Sequence, residues 1–224
     1  MKPILFNTEM VRAILNNSKT TTRRVIKPQP ESCTNVANGV LAGVKADAPM
    51  YPDYGGRLIK YPYQKGDILY VRETFYQYGE WYDTMERVQI KGEWETVAKH
   101  TFVAKQGFPV YFKNTLPGNI EVKHVYKDGL GYYKRPSIFM PKEAARIFLR
   151  VTGVRAERLQ DMENAPSGFN NPFCKEEVEY ECDFIALWNR TIKRADLDKY
   201  GWDTNPWVWV YEFERCEKPK EGLI

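Results

Sequence analysis

The sequence predicts a strand-rich α+β protein: a small mixed β-barrel flanked by helices, with a β-rich insertion. Three observations lead there. Apolar and polar residues alternate over Ile68–Phe75, Ile147–Ala156 and Trp207–Glu214, the period of half-buried strands. Helical spacing marks two segments, one through Met10, Val11, Ile14 and Leu15, the other through Phe184, Ile185, Leu187 and Trp188. Gly153 interrupts the middle strand as a bulge would, bending it in the way a strand that wraps a small barrel is bent.

Taken in order, residues 4–6 read as a short strand. Thr8 is the expected N-cap of the first helix, and Glu9 lies in its first turn, where the helix dipole favours an acid. Asn16-Asn17 is the expected stop. Lys19-Thr20-Thr21-Thr22-Arg23-Arg24-Val25 follows and is β-prone. Side chains two apart on a strand share a face, so Thr20, Thr22 and Arg24 line one side and Thr21, Arg23 and Val25 the other. Residues 28–66 are rich in Pro, Gly and Tyr without a sustained period. They read as a long ordered loop, centred on about 31–65 and held by Tyr51, Tyr54, Tyr61 and Tyr63.

The strand at 68–75 puts Leu69, Val71 and Phe75 on one face and Arg72 on the other. Glu73 falls on the apolar face, where a buried acid needs a cationic partner. Residues 76–133 are dense in aromatics and read as an insertion of two or more hairpins. Lys142–Ala145 makes about one helical turn, and residues 163–174 are a loop. In the last strand Trp207, Trp209, Tyr211 and Phe213 share a face opposite Val208 and Val210, as in a central or closing strand. The 224 residues therefore read as a single domain, 1–224, carrying the loop and the insertion.

Charge is local. Lys and Arg number 33 against 29 Asp and Glu, yet Lys19, Arg23, Arg24 and Lys27 fall together with no acid among them. Between Lys134 and Arg158 seven basic residues meet two acids, and from Asp161 to Asp183 seven acids meet one lysine. Such segregation suits a surface that attracts polyanions beside one that repels them. Cys33, Cys174, Cys182 and Cys216 are scattered and only His100 and His124 add imidazoles, so neither a metal site nor a cofactor is expected. A histidine-based triad is not expected either. No apolar run approaches the roughly 18 residues that span a bilayer, and the apolar start is too short for a signal peptide, which predicts a cytoplasmic protein.

Five segments carry a family resemblance: Asn17 to Arg24, Gly66 to Phe75, Arg135-Pro136-Ser137-Ile138 with Met140-Pro141, Arg158-Leu159-Gln160-Asp161, and Asn205 to Phe213. In this order they resemble the phage and prophage branch of the ASCH-domain proteins, part of the PUA-like superfamily. The resemblance covers residues 4–30, 64–75, 134–162 and 184–215. It implies a compact barrel with a cleft between barrel and helices, a role with RNA or modified nucleosides, and the host cytoplasm as location. Some small members are similar to amidohydrolases that remove the acetyl group of N4-acetylcytidine with a Lys, a Thr and a Glu. Lys19 and Thr22 match the first two, and Arg24 a nearby basic position. Where the family tends to place Glu before Gly, Ser167 precedes Gly168, leaving Glu163 as the acid. Phe139 stands where the branch commonly has His.

The expected function is binding of RNA or a modified nucleoside, presented single-stranded or as a flipped DNA base, in a basic cleft. Thr20, Arg23, Arg24, Arg72, Glu73, Arg135, Ser137 and Trp207 are the expected contacts, with Lys27 and Arg146 adding charge and Trp207 or Tyr70 stacking a base. The alternative is hydrolysis of an acylated cytidine, with Lys19 as base, Thr22 as nucleophile and Glu163 or Glu73 as acid. A further alternative is a phage protein that binds a host protein through the acidic stretch and the insertion.

Overall fold

The computed structural model describes residues 1–36, 39–43, 57–124, 129–164 and 180–219. In chain order they form β1 (Lys2–Leu5), α1 (Thr8–Leu15), β2 (Thr21–Val25), β3 (Ser32–Val36), β4 (Gly39–Gly43), β5 (Arg57–Lys60) and β6 (Ile68–Arg72). There follow β7 (Phe75–Ile90), β8 (Glu93–Ala104), β9 (Tyr111–Phe112), β10 (Val122–Lys123), β11 (Gly131–Arg135) and β12 (Phe148–Arg158). Last come α2 (Tyr180–Thr191), α3 (Leu197–Tyr200) and β13 (Trp207–Cys216). The class is α+β with few helices. One sheet runs β1-β6-β12-β13-β2, a second β10-β11-β7-β8 with β9 on β7, and a third β3-β4-β5. Among the described residues no sheet closes into a barrel. No helix among them is long and apolar enough to cross a membrane.

The chain divides into two compact units, and each is described by itself. The first comprises Met1–Lys2, Arg12–Tyr70 and Ile147–Ile224; the second comprises Pro3–Val11 and Val71–Arg146. The second unit thus takes in the stretch read as an insertion together with its flanks.

Helix α1 is capped by Asn7 rather than Thr8: the Met10 N–H donates to Asn7 Oδ1 at 2.8 Å. Thr8 is already the first helical residue, and Asn is as good a cap as any residue. The helix ends on Asn17, whose φ of 61° is left-handed. The N–H groups of Asn17 and Ser18 return to the carbonyls of Ile14 (3.2 Å) and Ala13 (2.9 Å), a Schellman closure. That reversal, continued by the Lys19 N–H to Ala13 O at 3.0 Å, delivers the chain into β2.

In the first unit β13 is central, antiparallel to β12 on one side and β2 on the other. Its alternation makes two cores. Trp209 and Tyr211 pack with Ile26 and Ala156 beneath Cys33, Ile59, Tyr61 and Tyr63, while Val208 and Val210 pack with Leu159, Trp188 and Trp202 beneath Phe184 and Ile185. The register of β12 shifts between Val151 and Gly153, the bulge that the glycine announces. Residues 28–66 depart from the loop reading, because their described part contains the three antiparallel strands β3, β4 and β5. These strands are four or five residues long and give too short a window for a period to emerge. Tyr61 and Tyr63 do anchor the segment, edge-on to Trp209 (5.2 Å) and Tyr211 (5.0 Å); Tyr51 and Tyr54 lie outside the described residues.

In the second unit one long hairpin, β7 with β8, runs from Gly79 paired with Ala104 to Ile90 paired with Glu93. Its two-residue turn, Lys91-Gly92, has φ of 52° and 93°, the left-handed pair that matches strand twist. β11 pairs antiparallel with β7 and parallel with β10. The strand read as Ile68–Phe75 breaks after Arg72, and Glu73 turns to an arginine instead of continuing the ladder.

Candidate functional site

Lys19 emerges from the α1 closure half-exposed but closely surrounded by protein. Among the described residues its ammonium has neither a hydrogen bond nor a carboxylate partner. Burial, then the charges of Arg24 and Arg23, lower its pKa from 10.5 to about 8. Thr20 is exposed, and its carbonyl accepts the Phe213 N–H at 2.8 Å, which fixes the start of β2 against β13. Thr22 pairs with Tyr211 across the ladder and is only 5% exposed; Arg24 pairs with Trp209.

This side of β2 is therefore rich in hydroxyls and cations. Burial lowers the Arg24 pKa, against which Tyr63 and Tyr211 favour its charge. Burial raises the Tyr211 hydroxyl strongly, helped by Tyr63 and opposed by Arg24. Among the described residues the Tyr211 oxygen is enclosed without a hydrogen-bond partner, and the nearby Tyr63 backbone favours its ionised form. Both tyrosines were read from the sequence as structural residues, and neither was among the expected site residues. The signal was available, since Tyr211 shares a face with Trp209 and lies across from a threonine two residues from Arg24.

Arg23, on the opposite side of β2, is neutralised. Its Nε and Nη2 donate to Glu157 Oε1 at 3.1 and 2.9 Å. Glu157 also accepts from Arg155 at 2.9 Å, and Arg155 pairs in turn with Glu212. The ladder holds Arg23 within the sheet, and three of the seven basic residues at 134–158, namely Arg146, Arg150 and Arg155, face carboxylates. Arg150 faces Glu214 at 3.7 Å, and Arg158 lies over the Trp207 ring at 4.6 Å. Trp207 therefore already carries a guanidinium, while its indole Nε1 is enclosed without an acceptor among the described residues. Lys27 lies over the Tyr200 ring at 4.4 Å.

In the second unit Glu73 is 5% exposed and has the cationic partner its position required: Arg146 Nε and Nη2 reach its two oxygens at 2.8 and 2.9 Å. Arg146 also donates to Asn114 at 2.8 Å and lies over Phe112 at 4.1 Å. The bidentate pair engages both carboxylate oxygens of Glu73 and two nitrogens of Arg146. Arg72 Nε donates to the Met140 carbonyl at 3.0 Å. Ser137 is half-buried, and its carbonyl accepts from Met140. Arg135 is 8% exposed among three aromatic rings.

In the first unit Lys19 thus lies near enough to Arg24 to feel its charge, Thr22 is on the Arg24 side of β2, and Arg23 is on the other face. Arg72, Glu73, Arg135 and Ser137 belong to the second. The Glu163 side chain and the acidic stretch beyond Asp161 up to Asp183 lie outside the described side chains. Compared with family models, characterised proteins and solved structures, the chain matches none.

Proposed function

We propose that this chain binds RNA or a modified nucleoside through the Lys19, Thr22 and Arg24 side of β2, as a PUA-like protein of the ASCH type acting in the cytoplasm. One observation carries the reading. The Lys19 ammonium stands beside the Arg24 guanidinium with no carboxylate partner of its own among the described residues. Two cations so close repel one another, and an anion between them relieves that repulsion. The hydroxyls of Thr22 and Tyr63 add directed donors and acceptors of the kind that read a base edge. The test is fluorescence anisotropy with labelled single-stranded RNA across a salt series. Log K should fall by about 0.7 per phosphate contact per decade of salt, and Lys19→Ala should weaken binding about tenfold, one charge-assisted contact. Affinity indifferent to both salt and Lys19 would sink the reading.

The lowered Lys19 pKa favours a second reading, hydrolysis of an acylated nucleobase. A lysine at about 8 is partly neutral near pH 7.5 and could take the proton of the Thr22 hydroxyl. The Thr22 oxygen would attack the amide carbon, the C–N bond would break, and the amine would leave with that proton. Water would then release the acyl group from Thr22. Incubation with a panel of modified nucleosides, read by mass spectrometry, distinguishes the two: loss of an acyl group that depends on Lys19 and Thr22 marks the enzyme, unchanged masses a binder.

A further inference from the structure

Arg135 presents a separate problem in the second unit. Arg135 is 8% exposed, yet among the described residues its guanidinium makes no hydrogen bond and no ion pair, and its Nε is fully enclosed. Burial lowers its pKa, with no carboxylate to oppose the shift. Three rings surround it: Phe102 at 4.2 Å, and Trp81 and Phe139 at 4.9 Å. Ring faces stabilise a cation but accept none of the N–H groups that radiate in the guanidinium plane. Buried charges are ordinarily hydrogen-bonded, so this one lacks an acceptor.

The sequence builds this cage deliberately. Trp81 pairs with Phe102 across the hairpin, and Gly79 lets the Phe102 ring lie over its Cα: a Cβ there would come within 2.5 Å of that ring. The third ring is set by the turn Pro136 to Met140, where the Phe139 N–H donates to Pro136 O (3.0 Å) and the Met140 N–H to Ser137 O (3.1 Å). Met140 is fully buried and pins the turn, while Phe139 stays 60% exposed. One ring thus lies over the cation and keeps most of its surface in solvent. A ligand with a flat ring and anionic oxygens answers both needs.

We propose that Arg135 and Phe139 form a second binding site, which takes one nucleotide of a single strand, its base stacked on Phe139 and its oxygens on the guanidinium. The site belongs to the second unit and uses none of the residues of β2.

The test is calorimetric titration of the whole chain with nucleoside 5′-monophosphates, the matching nucleosides and inorganic phosphate. It is run on the wild type, Lys19→Ala, Phe139→Ala and Arg135→Lys. In the Lys19→Ala protein, whose β2 site is weakened, nucleotides should still bind at one site. Phe139→Ala should weaken that binding about tenfold, as the loss of one base stack does, with no change in the melting temperature. Arg135→Lys, which loses the planar fork, should weaken it at least as much; should that variant unfold, Phe139→Ala decides alone, since it removes only an exposed ring. The proposal is overturned if Phe139→Ala binds normally, if inorganic phosphate alone binds as well as nucleotides, or if no nucleotide binds. Binding that depends on Lys19 and not on Phe139 would overturn this site and leave the reading of β2 standing.

Discussion

Arg23 and Arg24 stand side by side on β2 and turn to opposite faces of one sheet. On the Arg23 face an alternating ladder of Arg23, Glu157, Arg155 and Glu212 cancels each charge with the next. On the Arg24 face the neighbours are Lys19 and tyrosine hydroxyls. In sequence the two arginines contribute equally to a basic cluster; in the fold one is part of the scaffold and the other faces the candidate site. A run of positive residues therefore marks a site only after the charges spent on internal carboxylates have been subtracted.

The largest expected effect tests the scaffold half of this contrast. Glu157→Ala leaves Arg23, whose side chain is only 6% exposed, without its carboxylate. Removing one partner of a largely buried pair costs about 3 kcal/mol, and urea unfolding should show a loss of that order. A loss below about 1 kcal/mol would mean that the ladder behaves as exposed pairs do, and the two faces would no longer differ in kind. Lys19→Ala should do the reverse, leaving the unfolding midpoint unchanged or slightly raised at pH 7 while weakening RNA binding about tenfold. Equal losses of stability from both substitutions would erase the distinction.

The next effect is a pH dependence on the Lys19 side alone. Lys19 in the folded chain titrates at about 8 against 10.5 unfolded. Below pH 8 both states hold the proton and the fold bears the full cost of the buried charge. Between 8 and 10.5 the unfolded chain binds more protons, so stability rises with pH across that window and the gain is lost as pH falls back through 8. Lys19→Met should flatten this rise. RNA binding should move the other way, weakening as pH climbs past about 8, because the ammonium that attracts phosphate is being lost. Hydrolysis with Lys19 as the base would instead accelerate over the same range, so the sign of the pH effect separates binder from enzyme.

What the sequence disclosed and what it withheld follow from the range of the forces concerned. Alternation in β13 and the bulge at Gly153 are local, and both were legible, as was the need of Glu73 for a cation. The identity of that cation was not, since Arg146 lies 73 residues away. The split between Thr22 with Arg24 and Thr21 with Arg23 could be read from strand period alone. The capture of Arg23 by Glu157 could not, because it depends on β12 and β2 flanking β13. The cage around Arg135 was hidden for the same reason: Trp81 and Phe102 meet only because the turn at Lys91-Gly92 sets the hairpin register. The cap at Asn7 was missed by one residue, with Asn and Thr both able to serve.

The smallest effect probes how the ladder is joined to the bulge. A methyl group on Gly153 would lie 2.5 Å from Glu212 Oε2 and 3.1 Å from its Cδ. The backbone there is not left-handed, so Gly153→Ala carries no conformational strain and its cost is the displacement of one carboxylate. Glu212 holds Arg155, but at 44% and 37% side-chain exposure the pair is solvent-screened and worth under about 1 kcal/mol. Gly153→Ala should therefore destabilise by about 1 kcal/mol at most, far less than Glu157→Ala. If the carboxylate is the obstacle, the cost should vanish once Glu212→Ala is introduced, a non-additivity that a double-mutant cycle measures directly. Additive costs would instead place the obstacle in the bulged backbone, and the glycine would then serve the bend of β12 rather than the charges of the ladder.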